Sequence, residues 1–268
     1  MAPCKEAVAL ARETGDAILL ADALRWLGNA TGRAARPRDA VAINEEALAV
    51  IAPHDVPRLR AAILSWYGFC LGLCDEFERG RRAYEESVAT LRQAGDALRL
   101  LAPLTNFADL EFKSGNVDAA LQLGFESIAV SREFGTMTSI PFLNLAAYLL
   151  ATGRLADAWE NAREGLQHGL KRQRHLIVAI ALQHLAQVAA RQGDTETAAQ
   201  LVGYADAAYA SERHERHPTE KHEYERILAI LRNAYAPSRL TALFARGRAL
   251  SQEAAVRLAL AIPKPVET

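Results

Sequence analysis

The sequence predicts an all-α fold: a right-handed α-α superhelix, a solenoid of helical pairs with repeats of about 40 residues, closed by a C-terminal helical cap. Three observations carry this. The stretch Ala61 to Leu100 reads as two amphipathic helices around a tight turn, with Leu64, Tyr67, Gly68 and Leu71 at i, i+3, i+4 and i+7. The same register recurs as Leu24, Leu27, Gly28, Thr31; as Leu104, Phe107, Ala108, Glu111; as Phe142, Leu145, Ala146, Leu149; and as Leu182, Leu185, Ala186, Ala189. A small residue also returns wherever two helices must cross: Gly28, Gly68, Ala108, Ala146 and Ala186 on the first helix, Ala40, Gly80, Ala120, Ala158 and Ala198 on the second. A leucine at such a slot overpacks the crossing by roughly 1–3 kcal/mol.

Taken in order, Pro3 to Thr14 reads as the second helix of a pair, matching Asn44 to Ala52, with no first helix ahead of it. A lone second helix exposes the face its partner would cover, which points to a piece of a longer protein. An N-terminal capping helix is the other reading. Asp16 to Tyr209 holds five pairs, with Pro103 and Pro141 in first turns, where a missing N–H is harmless. The turns are Gly32 to Asp39, Asp75 to Arg79, Ser114-Gly115-Asn116, Thr152-Gly153-Arg154 and Gln192-Gly193-Asp194; glycine there accepts the left-handed conformation that ends a helix. Ser211 to Lys221 is polar and unpatterned. The array, a half repeat plus five pairs, is therefore placed at 1–210 and the capping helices of the same solenoid at 211–268. Thr219 is expected to cap a helix running to about Tyr235, with Tyr224, Ile227, Leu228 and Leu231 inward. A short helix follows Pro237, and Ser251 caps a last one through Ala254, Val256, Leu258 and Leu260.

The order of a small residue, a gap of twelve, an alanine and a small residue seven further on resembles the tetratricopeptide repeat (TPR), in a form longer than the usual 34 residues. The large aromatic of the second helix is present only as Tyr84. The tail resembles something narrower. Ala198-Ala199-Gln200-Leu201-Val202-Gly203-Tyr204-Ala205-Asp206, Tyr224-Glu225 and Gly247-Arg248-Ala249-Leu250-Ser251-Gln252-Glu253-Ala254-Ala255 are similar to the C-terminal end of bacterial STAND-class signal-transduction ATPases, many of them transcriptional regulators. That resemblance implies a bacterial sensor arm whose parent chain adds ATPase and DNA-binding domains. The sequence itself has no G-x-x-x-x-G-K-[ST] phosphate loop and no helix-turn-helix reader.

Composition narrows the rest. With 31 basic and 32 acidic residues, no field of one sign draws nucleic acid or an anionic membrane. Arg79-Gly80-Arg81-Arg82 and Lys171-Arg172-Gln173-Arg174-His175 read as solvated turns, with phosphate binding as the sharper alternative. Cys4, Cys70 and Cys74 make no disulfide framework, which fits a reducing compartment. Apolar runs such as Leu176 to Leu182 fall far short of the roughly 18 residues that cross a bilayer. Lys5 and Glu6 interrupt any signal peptide, so the expected location is cytoplasmic.

No H-E-x-x-H, G-x-S-x-G or C-x-x-C occurs, and the expected protein is not an enzyme and needs no cofactor. His214, His217 and His222, with Glu215 or Glu223, are the one cluster a zinc ion would notice. Arg213, Arg216 and Lys221 beside them are poor ground for a cation, and no metal is assigned.

Binding has better support. In a solenoid of pairs the first helices line the concave side, and the slot two before the small residue faces the groove. That slot reads Trp26, Trp66, Asn106, Asn144 and His184, and one turn onward stand Asn29, Phe69, Asp109 and Gln187. Aromatics offer contact area at low entropy cost, and amides pair with a peptide backbone. In the resembled repeats an asparagine at this slot often holds peptide main chain, which carries over to Asn106 and Asn144. A structural reading stands beside this one: the tryptophans pack between pairs, the asparagines bond neighbouring helices, and His184 is an inter-helix histidine. The expected function is recognition of a peptide or small effector as a sensor arm, or alternatively as a free-standing adaptor. Pairing of two copies through the lone first helix or a face around Phe244 is left open.

Overall fold

The computed structural model describes residues 1–136, 138–216 and 218–266. Fourteen α-helices and no strand are found among the described residues, and the chain divides into two compact units, Met1–Phe134 and Gly135–Thr268.

The first unit holds α1 (Ala2–Thr14), α2 (Ala17–Arg33), α3 (Pro37–Ile51), α4 (Pro57–Leu73), α5 (Phe77–Gln93), a 3-10 turn (Ala97–Leu100), α6 (Leu101–Lys113) and α7 (Val117–Glu133). The pairs α2/α3, α4/α5 and α6/α7 match the predicted register, and α1 packs on α2 as α3 packs on α4. Val8, Ala11, Leu24, Ile51 and Ile63 share one apolar seam that runs from α1 to α4. Asp16 caps α2, its Oδ1 accepting from the Ile18 and Leu19 amides at 2.9 and 3.0 Å.

The second unit holds α8 (Ile140–Ala151), α9 (Leu155–Lys171), α10 (His175–Arg191), α11 (Thr195–Ser211), α12 (Pro218–Ala234), α13 (Pro237–Arg248) and α14 (Gln252–Leu260). The pairs α8/α9 and α10/α11 again follow the register, and three helices then wrap them: α12 crosses α8 and α10, while α13 and α14 pack on α11. The tail returns to α9, where Trp159 Nε1 donates to the Ile262 carbonyl at 3.0 Å and Lys264 pairs with Glu160 at 2.5 Å. Ser251 caps α14 as expected, accepting from the Ala254 amide at 3.2 Å.

All ten small residues of the predicted crossings are buried. At the α4/α5 crossing a Cβ on Gly80 would stand 3.3 Å from the Gly68 carbonyl. Another crossing is tighter still and falls outside the repeat: Gly203 on α11 meets the Phe244 backbone, and Gly247 on α13 meets the Gln200 backbone. A side chain at either position has no room.

The turns divide into two kinds. Gly115, Gly153 and Gly193 take the left-handed conformation as predicted, but in the first two pairs Ala35 and Asp75 take it instead. Gly32 lies inside α2, where its bare Cα lets Trp66 and Cys70 close in. α12 begins at Pro218, so Thr219 sits within its first turn rather than capping it, because proline's fixed φ suits the first helical position. In α14 the inward residues are Ala255 and Ala259, with Leu260 exposed.

Candidate functional site

The predicted groove residues of the first unit lie along its first helices and keep access to solvent. On α2, Trp26 is 53% exposed, with the Arg25 guanidinium 4.4 Å over its ring and tied in turn to Asp22 at 2.7 Å. Asn29, half-buried one turn on, accepts from Arg33 Nε at 2.9 Å, and the Arg33 guanidinium stands 5.9 Å from the Trp66 ring. On α4, Trp66 stacks on Phe69 at 4.8 Å. Trp66 leans on Gly32 of α2 and remains part-exposed. Its Nε1 points inward and finds no acceptor among the described residues.

On α6, Asn106 and Asp109 are half-buried, and Lys113 pairs with Asp109 at 2.6 Å. With Gly68, Phe69 and Gly72 of α4 they border a slot of about 10 Å³, room for one water. Small residues make the slot: side chains at Gly68 and Gly72 would fill it. The face thus offers two indole rings, a phenyl ring and two amides on the first helices of three successive pairs, with charges of both signs at its edge.

The second unit differs. Asn144 is half-buried, but His184 is 1% exposed and Gln187 fully buried, although both were expected to line a groove. α12 packs on α8 and α10 and brings Glu220 to Gln183 and Glu223 to Gln187. Every residue of α10 from Ile177 to Ala190 is buried, because α8, α9, α11, α12 and α14 all pack on it. Desolvation brings the His184 imidazole down to about 4, so it is neutral, and its Nδ1 has no partner among the described residues.

α12 is held at its start by a cluster that no sequence motif marks. Arg216 donates through Nε to Gln183 Oε1 at 2.7 Å and pairs with Asp206 at 2.6 Å, its guanidinium lying 4.2 Å from the Tyr209 ring and 3.9 Å from the Tyr224 ring. Gln183 Nε2 donates to the Glu220 carbonyl at 3.0 Å, and the Tyr209 hydroxyl donates to Glu220 Oε2 at 2.7 Å. Burial raises the Tyr209 and Tyr224 hydroxyls, Tyr224 to about 12, so both stay protonated donors. Its partners come from three helices, which is why Arg216 was legible only as a loop charge.

Glu111 did leave a signal. Its carboxylate occupies the i+7 slot where Thr31, Leu71, Leu149 and Ala189 stand in other repeats, and a buried carboxylate requires a partner. Arg81 supplies it, donating to both carboxylate oxygens at 2.6 and 2.9 Å, and Asn116 Nδ2 donates at 2.8 Å. Two of the arginines expected on a solvated turn are therefore engaged: Arg81 also pairs with Glu78, and Arg79 pairs with Glu45 and Glu76 and donates to the Tyr67 hydroxyl. Burial raises the Cys70 thiol to about 12, which makes it unreactive. Among the described residues no group of three His, Cys, Asp or Glu side chains is placed to hold a metal; His217 of the predicted cluster lies outside them. None of their helices is long and apolar enough to cross a membrane.

This arrangement of pairs is TPR-like, and solved structures agree. The chain is similar to a putative kinesin light chain from Podosopora anserina with nearly identical TPR-like repeats, at 17% identity and TM-score 0.58, over 72% of this chain and 97% of that one. A second crystal structure of that protein, carrying one substitution, matches at TM-score 0.59 and 17% identity, over 72% and 95% of the two chains. BtubC (BKLC) from P. vanneervenii matches at TM-score 0.67 and 16% identity, over 81% and 92%. No family model matches the sequence. No curated protein matches it either.

Proposed function

We propose that this chain is a recognition module that binds a protein segment or small effector on the first-helix face of its first unit. The observation that carries this is the run of Trp26, Asn29, Trp66, Phe69, Asn106 and Asp109 along α2, α4 and α6, all with access to solvent. The aromatic rings supply area, and the Asn29 and Asn106 amides supply donors and acceptors for a peptide backbone. In the fuller form of this reading the TPR-like array runs over 1–210 and the cap over 211–268. The whole is the cytoplasmic sensor arm of a bacterial STAND-class ATPase or transcriptional regulator, and ligand binding biases the switch domain of the parent chain. The tail resemblance supports that fuller form; an upstream in-frame phosphate loop in the coding sequence decides it against a free-standing adaptor.

The test is selection of a random displayed peptide library on the full chain, followed by Trp66→Ala and Asn106→Ala. Selected peptides should lose at least tenfold in affinity to each variant while circular dichroism is unchanged. Peptides that bind wild type and both folded variants alike would remove the face from consideration.

A further inference from the structure

We propose that α12 is a releasable strap: it occupies the first-helix face of the second unit where a ligand would lie, and it leaves by a local opening while the pairs beneath stay folded. The opening is argued from the second unit alone; only the idea that a ligand then enters rests on the function proposed above.

The first observation is position. α12 packs on α8 and α10, with Gln183 bonded to its Glu220 carbonyl and Gln187 beside its Glu223, and Gln187 and neighbouring His184 hold register positions that stay accessible in the first unit. The second is the nature of its grip. α12 buries a single narrow stripe, Thr219, Glu223, Ile227 and Leu231, and two of those four side chains are polar. α13, by contrast, meets α11 backbone to backbone at Gly203 and Gly247.

The third observation is the polar layer under the strap. Glu223 and Gln187 are both fully buried, yet Glu223 Oε2 and both Gln187 amide atoms lack hydrogen-bond partners among the described residues. The amide lies toward the carboxylate, close enough to favour its charge but outside bonding geometry. Arg226 meets Glu223 Oε1 at only 3.4 Å. Burial raises the Glu223 carboxyl against the pull of Arg226, Arg191 and His222, and the same burial lowers Arg191. A buried polar group without a partner is stabilised by water when the cover lifts. At the start of α12 the hold is charged and stronger, through Arg216 on Gln183 and Asp206 and Tyr209 on the Glu220 carboxylate. The docked strap is thus weakest at the Glu223–Gln187 layer, beyond the clasp at its start.

Native-state hydrogen exchange on the full chain tests this. The α12 amides should exchange through an opening at least 100-fold more populated than the one that releases α10 and α13. Replacing both members of this under-bonded layer, Gln187→Leu with Glu223→Leu, should slow α12 exchange at least tenfold and leave α13 unchanged. Glu223→Gln, which keeps shape and removes the charge, should slow it in the same direction and reads the effect if the double variant does not fold. Exchange of α12 only together with α10 and α13, or variants that leave α12 as fast as wild type, would overturn the strap.

Discussion

The same register produces an open face in one unit and a closed one in the other. Trp66 on α4 and His184 on α10 hold the same slot, yet Trp66 shares a part-exposed surface with Phe69 and Arg33 while His184 is buried on a helix that α12 and four others pack against. The repeat therefore specifies which side of a helix faces inward, and whatever crosses that side decides whether it is surface or core. Each unit also keeps an arginine-centred polar cluster that ties its helices together. Arg81 fixes a buried carboxylate between α5 and α6, and Arg216 clasps α12 to α10 and α11.

The strongest way to break this comparison is at Glu111. Glu111→Ala leaves Arg81 without its buried partner and should cost about 4 kcal/mol in urea unfolding, against under about 0.5 kcal/mol for the exposed Glu78→Ala on the same arginine. A loss below about 1 kcal/mol would mean that the pair is solvated.

The second lever is pH. His184 is held neutral in the fold at about 4, whereas the unfolded imidazole titrates near 6.5. The unfolded chain therefore takes up a proton that the fold refuses, so stability is complete above about 6.5 and falls as pH drops toward 4, by up to about 3 kcal/mol. Glu223 acts in the opposite sense: its raised carboxyl contributes when protonated, and that contribution is lost as pH rises through its folded value. Unfolding across pH 7 to 4 should show the His184 loss in wild type, and His184→Gln should flatten it.

A third and smaller contrast lies in the crossings. Gly247→Ala drives a methyl into the Gln200 backbone and should cost about 2–3 kcal/mol, whereas Gly28→Ala meets only the Asn44 amide and should cost about 1 kcal/mol in the same urea assay. The smallest effect is expected on the open face, where Trp26→Ala should change stability by under about 0.5 kcal/mol.

The helices, the pairing and the ten crossing slots were legible in the sequence because small residues recur where backbones must approach. Tyr84, Ser87 and Asn44 came with them, and Ser87 Oγ donates to the Ala61 carbonyl at 2.8 Å across the α4/α5 crossing. The face of the first unit was legible too, since Trp26, Trp66 and Asn106 keep the exposure their register implies. The burial of His184 and Gln187 was not, because α12 and α14, helices outside the repeat whose docking no period encodes, add to the cover on α10. Glu223 was hidden for a related reason: the inward face of α12 was read from Tyr224, Ile227, Leu228 and Leu231, and a carboxylate one residue before that stripe gives no sign of burial.

Hydroxyl-radical footprinting of the native protein, with each rate divided by that of the free amino acid, compares the two faces directly. An open first unit and a shut second one require Trp26 and Phe69 to be oxidised at least tenfold faster, so normalised, than His184. Equal normalised rates at Trp26 and His184, or protection of Trp26, would contradict the account.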